Sequence, residues 1–448
     1  MMKLTIKPEA NQIIHQLQEN GYEAYAVGGC VRNALLGLCP HDWDICTNAK
    51  PEEMRTVFRN HVTHDFGLKH GTLVVMIGEE PYEVTTYRID GAYADNRHPE
   101  QVSFTDDLTL DLSRRDFTVN AMAYNDEQGL MDPFGGREDL KNGLLRCVGD
   151  PDKRFAEDSL RILRGVRFAA AYGFSVERQT ADAIHRNAAL LQNIAAERIR
   201  VELTGAVCGA HVLPVFSEFR DVLAVAIPEL RETFDFEQRN KHHCYDVWGH
   251  ILHSVAAIES DPLLRVTMLL HDIGKPRACT TDRYGSRHFK GHQQISAEMA
   301  SVILKRLTFP NAFNADCLQL IIAHDIRFDG SQRQVKRVLQ KLGEENMRRL
   351  FAVQRADVAA QSDYRRDDKL AATALAERQF EELVRSRACV SLRGLAVNGS
   401  DLMALGYREG RAVGAALSRL LDEVIDGELP NEREKLLQRA EQIKTKDF

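Results

Sequence analysis

The stretch Tyr25-Ala26-Val27-Gly28-Gly29-Cys30-Val31-Arg32-Asn33, followed a few residues later by Asp42-Trp43-Asp44-Ile45, decides how this chain is read. The apolar run Tyr25 to Val27 predicts a strand. Two glycines at its end let the backbone approach a bulky anion closely. Cys30 to Leu36 predicts a short helix closed by Gly37. Amides at its start, together with Arg32, form an anion site, and triphosphate is the anion that suits it. After a turn at Pro40, Asp42 to Ile45 predicts a second strand. Asp42 and Asp44, at i and i+2, then point the same way. Two adjacent carboxylates repel unless a cation sits between them, and hard oxygen ligands suit Mg²⁺. A lone Gly-Gly is usually a turn and a lone Asp-x-Asp usually surface; their order and company carry the signal.

The composition sets bounds on the rest. At 448 residues the chain is long enough for several domains, and 44% hydrophobic content supports globular cores. The net charge of -7 means that RNA must be met by a local basic face rather than a global field. The nine cysteines form no C-x-x-C pair, which argues against zinc ribbons and for a reducing compartment. MMKLTIKPEA lacks an apolar signal core and no apolar run of about 18 residues follows, so a cytoplasmic protein without a membrane span is expected.

Further along, Pro8 to Asn20 has helical spacing, with Ile13, Ile14 and Leu17 on one face. Gly71 to Ile77 and Tyr82 to Tyr87 predict a hairpin. Arg88 to Ser103, rich in Asp, Gly, Asn, Arg and Pro, predicts a mobile loop. Asp106 to Tyr124 predicts a helix on which Asp116 and Asn120 share a face. Phe155 to Phe168 predicts another, where Asp158 and Arg161 are neighbours three apart, as are Arg161 and Arg164. A carboxylate acceptor beside a guanidinium fork can read a base edge, Asp accepting from the exocyclic amine of C or A. Read alone, that pair is an ordinary intrahelical salt bridge worth a few tenths of a kcal/mol. From Asn240 on, His271-Asp272 sits vicinally in an apolar helix, where two buried polar groups need partners that a metal can supply.

Taken together, these motifs resemble the class II nucleotidyltransferases, the tRNA nucleotidyltransferase and bacterial poly(A) polymerase family, over roughly residues 20 to 205. That resemblance implies an α+β fold: an N-terminal α/β head with a mixed sheet, then all-helical neck, body, HD and tail domains. The expected boundaries are 1–145 for the catalytic head, 146–239 for the neck and body, 240–370 for the HD domain and 371–448 for a tail contacting tRNA. It implies CCA addition to the 3′ end of tRNA from CTP and ATP, with no nucleic-acid template and no DNA partner. Asp42, Asp44 and Glu83 (in Glu-Val-x-Thr-x-Arg) are the expected catalytic carboxylates, the two aspartates holding Mg²⁺. Gly28, Gly29 and Arg32 are expected to hold triphosphate. Arg114, Arg115, Asp116 and Asn120 (in Arg-Arg-Asp-Phe-Thr-x-Asn-Ala) are expected at the ribose and phosphates. Asp158 and Arg161 (in Glu-Asp-x-x-Arg) are expected at the base, with Arg164 and Arg167 beside them. The family usually has Asp where this chain has Asn33, which removes a possible carboxylate partner for Arg32. Arg198 is expected to hold acidic neighbours in a packing helix.

His250, His271, Asp272 and Asp357 match the four-ligand signature of HD-domain phosphohydrolases, for a transition metal or Mg²⁺. His292 and His324-Asp325 lie where related domains contact a second metal or a phosphate. A degenerate HD fold kept for packing is the bland counterpart. The alternatives are a poly(A) polymerase or a CC-only or A-only enzyme, a phosphohydrolase whose head merely binds nucleotide, and a non-catalytic RNA-binding protein.

Overall fold

The computed structural model describes residues 3–40, 42–67, 70–91 and 102–447 and divides into two units, Met1–Arg231 and Glu232–Phe448. The first unit opens with α1 (Pro8–Glu19), whose buried face is Ala10, Ile13, Ile14 and Leu17. Then follow β1 (Ala24–Val27), α2 (Gly29–Leu35), β2 (Ile45–Thr47), α3 (Pro51–Val57), β3 (Thr63–Gly67), β4 (Thr72–Ile77), β5 (Glu80–Thr86), β6 (Arg88–Asp90) and β7 (Val102–Phe104). After α4 (Leu108–Ser113) come β8 (Ala123–Asn125) and β9 (Gly129–Met131). Seven strands form one sheet in the order β3-β4-β5-β2-β1-β8-β9. All its pairs are antiparallel except β2 and β5, so the sheet is mixed.

Three local expectations need correction. The ordered strand begins at Ile45, with Asp42 to Asp44 ahead of it. The alternation nevertheless holds, because the Val27 amide bonds the Asp44 carbonyl at 2.9 Å and extends the β1–β2 pairing. The helix expected over 106–124 stops at Ser113; Thr118–Asn120 is a single 3₁₀ turn and Ala123 starts a strand. The β-branched Thr118 and Val119 and the antiparallel partner β1 explain the switch. The flanks of the expected loop pair as β6 and β7, Arg88 opposite Phe104; residues 92–101 lie outside the described residues.

The unit continues as helices: α5 (Gly136–Lys141), α6 (Pro151–Glu157), α7 (Leu160–Tyr172), α8 (Arg178–Asn187), α9 (Ala196–Val207), α10 (Val212–Glu218) and α11 (Arg220–Ala226). The helix expected over 155–168 is in fact two. Asp158 is extended (φ -134, ψ 101) and ends α6, and Ser159 starts α7. The aromatic Phe117 ties α7 to the segment between α4 and β8: it meets Phe168 edge-on at 5.9 Å.

The second unit contains α12 (Val247–Ala257), α13 (Pro262–Leu270), α14 (Lys275–Ala278), α15 (His292–Arg306), α16 (Asn311–Ala323), α17 (Gln332–Ala359), α18 (Arg366–Arg385), α19 (Gly399–Ala404), α20 (Arg411–Ile425) and α21 (Arg433–Asp447). Gly343 interrupts α17 with φ 74 and ψ 172. The last helices have a core of their own, including Leu402, Leu420, Leu436 and Ala440. All nine cysteines are free. No helix among the described residues is long and apolar enough to cross a membrane.

Candidate active site

Gly28 ends β1 with φ 80, a conformation that favours glycine. A Cβ there would fall 2.8 Å from Arg115 Nη1, so the arginine tip lies against the glycine turn. Gly29 starts α2, and Arg32, one turn on, is only 6% exposed. Its guanidinium donates to Asn33 Oδ1 from Nε (3.1 Å) and Nη2 (2.9 Å), to Tyr172 Oη from Nη2 (2.9 Å), and to Asn120 Oδ1 from Nη1. Asn33 therefore still holds Arg32, as a neutral acceptor where a carboxylate was missed from the sequence. Phe168 and Tyr172 lie at 5.0 and 4.8 Å from this guanidinium. Burial pulls its pKa below the ordinary arginine range, and Tyr172 pulls it back.

Asp42 and Asp44 are exposed while Trp43 and Ile45 between and beyond them are buried, so the two carboxylates share one face. The parallel register sets Ile45 opposite Val84, which places Glu83 beside Asp44 on the neighbouring strand. Protein crowding raises the Asp44 carboxyl above its ordinary value; Arg115 opposes this and Asp42 adds to it. Glu83 is likewise raised by crowding, then by Asp44 and Asp42. Carboxylates that repel one another in this way are the oxygen donors a hard divalent cation accepts, although the ligand atoms of Asp42, Asp44 and Glu83 do not all lie within 4.8 Å of one another here.

The arginines next to this edge are anchored. Arg114 Nε and Nη2 bond the buried Asp111 Oδ1 at 3.0 and 2.9 Å, and Arg115 Nη2 lies 3.6 Å from Asp111 Oδ2. Asp116 accepts from Asn120 Nδ2 (3.0 Å) and Arg164 Nε (2.8 Å). Burial would raise the Asp116 carboxyl, but Arg164, Asn120 and Arg161 hold it down at about 2. Arg164 and Arg167 flank the Phe168 ring at 5.3 and 4.8 Å, and Arg167 pairs with Glu202 at 2.7 Å.

The Arg161 amide bonds the Asp158 carbonyl at 3.0 Å, but their side chains take other partners. Arg161 Nη1 bonds Glu157 Oε2 (3.1 Å) and its Nη2 bonds the Arg114 carbonyl (2.7 Å). Asp158 Oδ1 accepts from the Leu160 amide (3.1 Å) and Oδ2 from Arg198 Nη2 (3.3 Å). The break at Asp158 rotates its side chain away from Arg161 and towards α9. Arg198 thus holds an acid, as its segment suggested. Sequence reasoning missed Tyr172, although Arg164, Phe168 and Tyr172 recur every four residues and so line one face of α7.

In the second unit His271 caps the C-terminal end of α13, with Asp272 after it, rather than lying within the helix. Two groups of ligand-type atoms lie within 4.8 Å of one another among the described residues: His250, His271, Asp272 and Asp357, and Asp272, His292 and His324. Asp272 belongs to both, Oδ2 at 3.1 Å from His250 Nε2 and 3.2 Å from His271 Nε2, Oδ1 at 3.1 Å from His292 Nε2. Each of the four imidazoles has Nδ1 on a backbone carbonyl: Ala360, Met268, Phe289 and Ile321, at 2.7 to 3.2 Å. Those bonds put the proton on Nδ1 and aim every Nε2 lone pair inward, the arrangement of metal-binding histidine. The inward nitrogens approach at 3.4 Å (His250–His271) and 3.1 Å (His292–His324), where two lone pairs repel without a cation or a proton between them. Against burial, Asp272 and Asp357 lift the His271 pKa to about 10, while burial and His271 hold His324 down at about 3. Lys275 Nζ, 2.6 Å from Asp272 Oδ2, adds a fixed charge that sequence reasoning also missed. A cavity of about 780 Å³ opens onto the cluster and is lined by Lys241, Arg287, Lys290, Arg327, Arg365 and Lys369.

A mixed sheet carrying a glycine turn, a helix start and an edge of acids, followed by helices, is the architecture of a nucleotidyltransferase, and residues 24–146 match the family model described as Poly A polymerase head domain. Two further models, of an RNA-binding region of polymerase A and of a second tRNA nucleotidyltransferase domain, match residues 173–232 and 290–440. The CCA-adding enzyme of Enterococcus faecalis is 32% identical over 461 residues, covering 99% of each chain, and that of Geobacillus thermodenitrificans 42% identical over 277 residues, 59% of this chain and 68% of its own. The crystal structure of the Bacillus stearothermophilus CCA-adding enzyme in complex with CTP superposes with a TM-score of 0.73 at 29% identity, over 98% of each chain. The chain belongs to the family of CCA-adding enzymes. Nucleotidyltransferases of this family are metal-dependent.

Proposed function

We propose that this chain adds C, C and A to the 3′ end of tRNA from CTP and ATP, choosing the nucleotides without a nucleic-acid template. The observation that carries this is the shared edge of Asp42, Asp44 and Glu83 beside the Gly28–Gly29 turn and Arg32, in a chain similar over its whole length to CCA-adding enzymes. The acids' mutual repulsion fits Mg²⁺ held by Asp42 and Asp44, with Glu83 as a third ligand. Bound there, Mg²⁺ supplies the charge that lowers the pKa of the primer's 3′-hydroxyl and offsets that of the leaving pyrophosphate.

The remaining work falls to the chain's own side chains. Gly28 and Gly29 let the triphosphate lie against the backbone, and Arg32 and Arg115 hold positive charge beside it. Asp116 and Asn120 orient Arg164 and Arg32 at the ribose and phosphates. Asp158 accepts from the exocyclic amine of C or A. Arg161 donates to the ring once it exchanges a backbone partner for the base. Residues 1–145 act as catalytic head, 146–239 as base-reading neck and body, and 371–448 as the tail that meets tRNA. The test is nucleotide incorporation into tRNA lacking its 3′ end: incorporation of C, C and A in turn is expected, and a homopolymer of A would assign a poly(A) polymerase instead.

The inward-facing histidines favour a second activity in residues 240–370. A divalent metal held by His250, His271, Asp272 and Asp357, with Asp272, His292 and His324 beside it, would polarise a phosphate ester, and the basic cavity wall would hold that ester's charge. Mixed nitrogen and oxygen ligands suit Mn, Ni, Co or Fe as well as Mg²⁺. Hydrolysis of terminal or cyclic phosphates in the presence of Mn or Ni tests this, and its absence would leave the cluster a scaffold.

A further inference from the structure

We propose that Tyr172, at the end of the neck helix α7, is a positioning residue that sets Arg32 against the triphosphate through its hydroxyl. The inference rests on the reading of Arg32 as a triphosphate-holding group.

Arg32 is a buried cation whose direct partners, Asn33, Asn120 and Tyr172, are all uncharged. No opposite charge bonds the guanidinium directly; Asp116 attracts it from behind Asn120, and the direct contacts that orient it are neutral acceptors. Tyr172 Oη accepts from Arg32 Nη2 at 2.9 Å and donates to Asn33 Oδ1 at 3.2 Å. The second bond matters as much as the first. It requires the oxygen side of the Asn33 amide, and that same oxygen receives Arg32 Nε and Nη2. Turned over, Asn33 would present its NH₂ to a guanidinium that can only donate. One hydroxyl therefore holds Arg32 directly and also fixes the residue that grips it.

Nη2 also faces the glycine turn; a Cβ built on Gly29 would lie 3.7 Å from it. The Tyr172 ring is held independently. It stacks on Phe174 with centroids 5.3 Å apart and planes 20° apart, and lies 4.8 Å from the guanidinium. Tyr172→Phe thus removes the hydroxyl and leaves the packing.

The test is equilibrium binding of CTP and of ATP to the full chain, with a melting curve for each variant. Loss of a hydrogen bond to a charged group predicts a Kd about tenfold weaker in Tyr172→Phe, equally for both nucleotides, with the chain still folded and Tm lower by only a few degrees. Adding Asn33→Asp to that variant should bring Kd back to within about threefold of wild type. A carboxylate holds the arginine by charge and presents the same face whichever way it turns. An unchanged Kd in Tyr172→Phe would overturn the proposal. So would a loss confined to one nucleotide, or a loss that Asn33→Asp does not recover. Because binding is read without transfer, a wild-type chain that binds CTP but extends no tRNA would refute the proposed activity and leave the Tyr172 comparison standing.

Discussion

Replacing Asp158 separates a structural role from a base-reading role, because the structure gives each oxygen a different task. Oδ1 takes the Leu160 amide, the first N–H of α7, and Oδ2 takes Arg198 Nη2. Asp158→Ala removes a helix-start bond worth about 1 kcal/mol and an ion pair that, half open to water, adds little. For a unit of this size that is a Tm lower by about 2–4 °C. Asp158→Asn keeps an oxygen for Leu160, so its Tm should lie close to wild type. Base choice should respond differently. A matched contact to the exocyclic amine is worth about 1–3 kcal/mol of discrimination, roughly 5- to 150-fold in relative kcat/KM. Both variants should therefore accept UTP or GTP more often by a factor in that range, while metal-dependent transfer persists. The assay is competition among all four nucleotides on tRNA lacking its 3′ end, beside melting curves. Selectivity unaltered in both variants, with the Tm drop confined to Asp158→Ala, would refute the reasoning and leave Asp158 a helix cap.

Asp42→Ala or Asp44→Ala should reduce nucleotide addition at least a thousandfold with little change in Tm, since both side chains are exposed and repel each other; near-normal addition by either folded variant would sink the assignment of the acidic edge. His271→Ala and Asp272→Ala should abolish metal-stimulated phosphate ester hydrolysis and the Tm increase produced by Mn or Ni, while tRNA extension continues. Asp116 titrates near 2 when folded, against an ordinary value of 3.8, so its ionised form stabilises the fold above pH 3.8 and that support fades as pH falls towards 2. Asp116→Asn should accordingly be less stable than wild type by about 2 kcal/mol at neutral pH, and urea unfolding across pH should show the gap closing between about pH 4 and 2.

The shared face of Asp42 and Asp44 could be read from sequence because it depends on short-range periodicity. Two residues at i and i+2 share a face even when, as at Asp42 and Asp44, the formal strand starts one residue later. In the second unit the vicinal His271-Asp272 pair showed a need for partners, while the set His250, His271, Asp272 and Asp357 came from the family resemblance; the structure brings the four together at the end of α13 rather than inside it. The base-reading segment was less legible. Asp158 and Arg161 fit helical spacing, and nothing local announced that Asp158 would leave the helix to cap the next one and pair with Arg198, forty residues on. The helix expected over 106–124 failed because pairing of Ala123 with Val27 outweighs the helical spacing of Asp116 and Asn120. Tyr172 was hidden for the same reason as the pairing of Asp158 with Arg198. Its partner Arg32 lies 140 residues away, and only the fold brings them together.

In the proposed activity one site adds C and A in a fixed order without a template. The most direct measurement is to offer the wild-type chain tRNA ending before its 3′-terminal CCA, with CTP alone, ATP alone, and both. Two C residues are expected with CTP, no run of A with ATP, and a single closing A after CC when both are present. Repeated addition of A, or addition that continues beyond the third nucleotide, would contradict it.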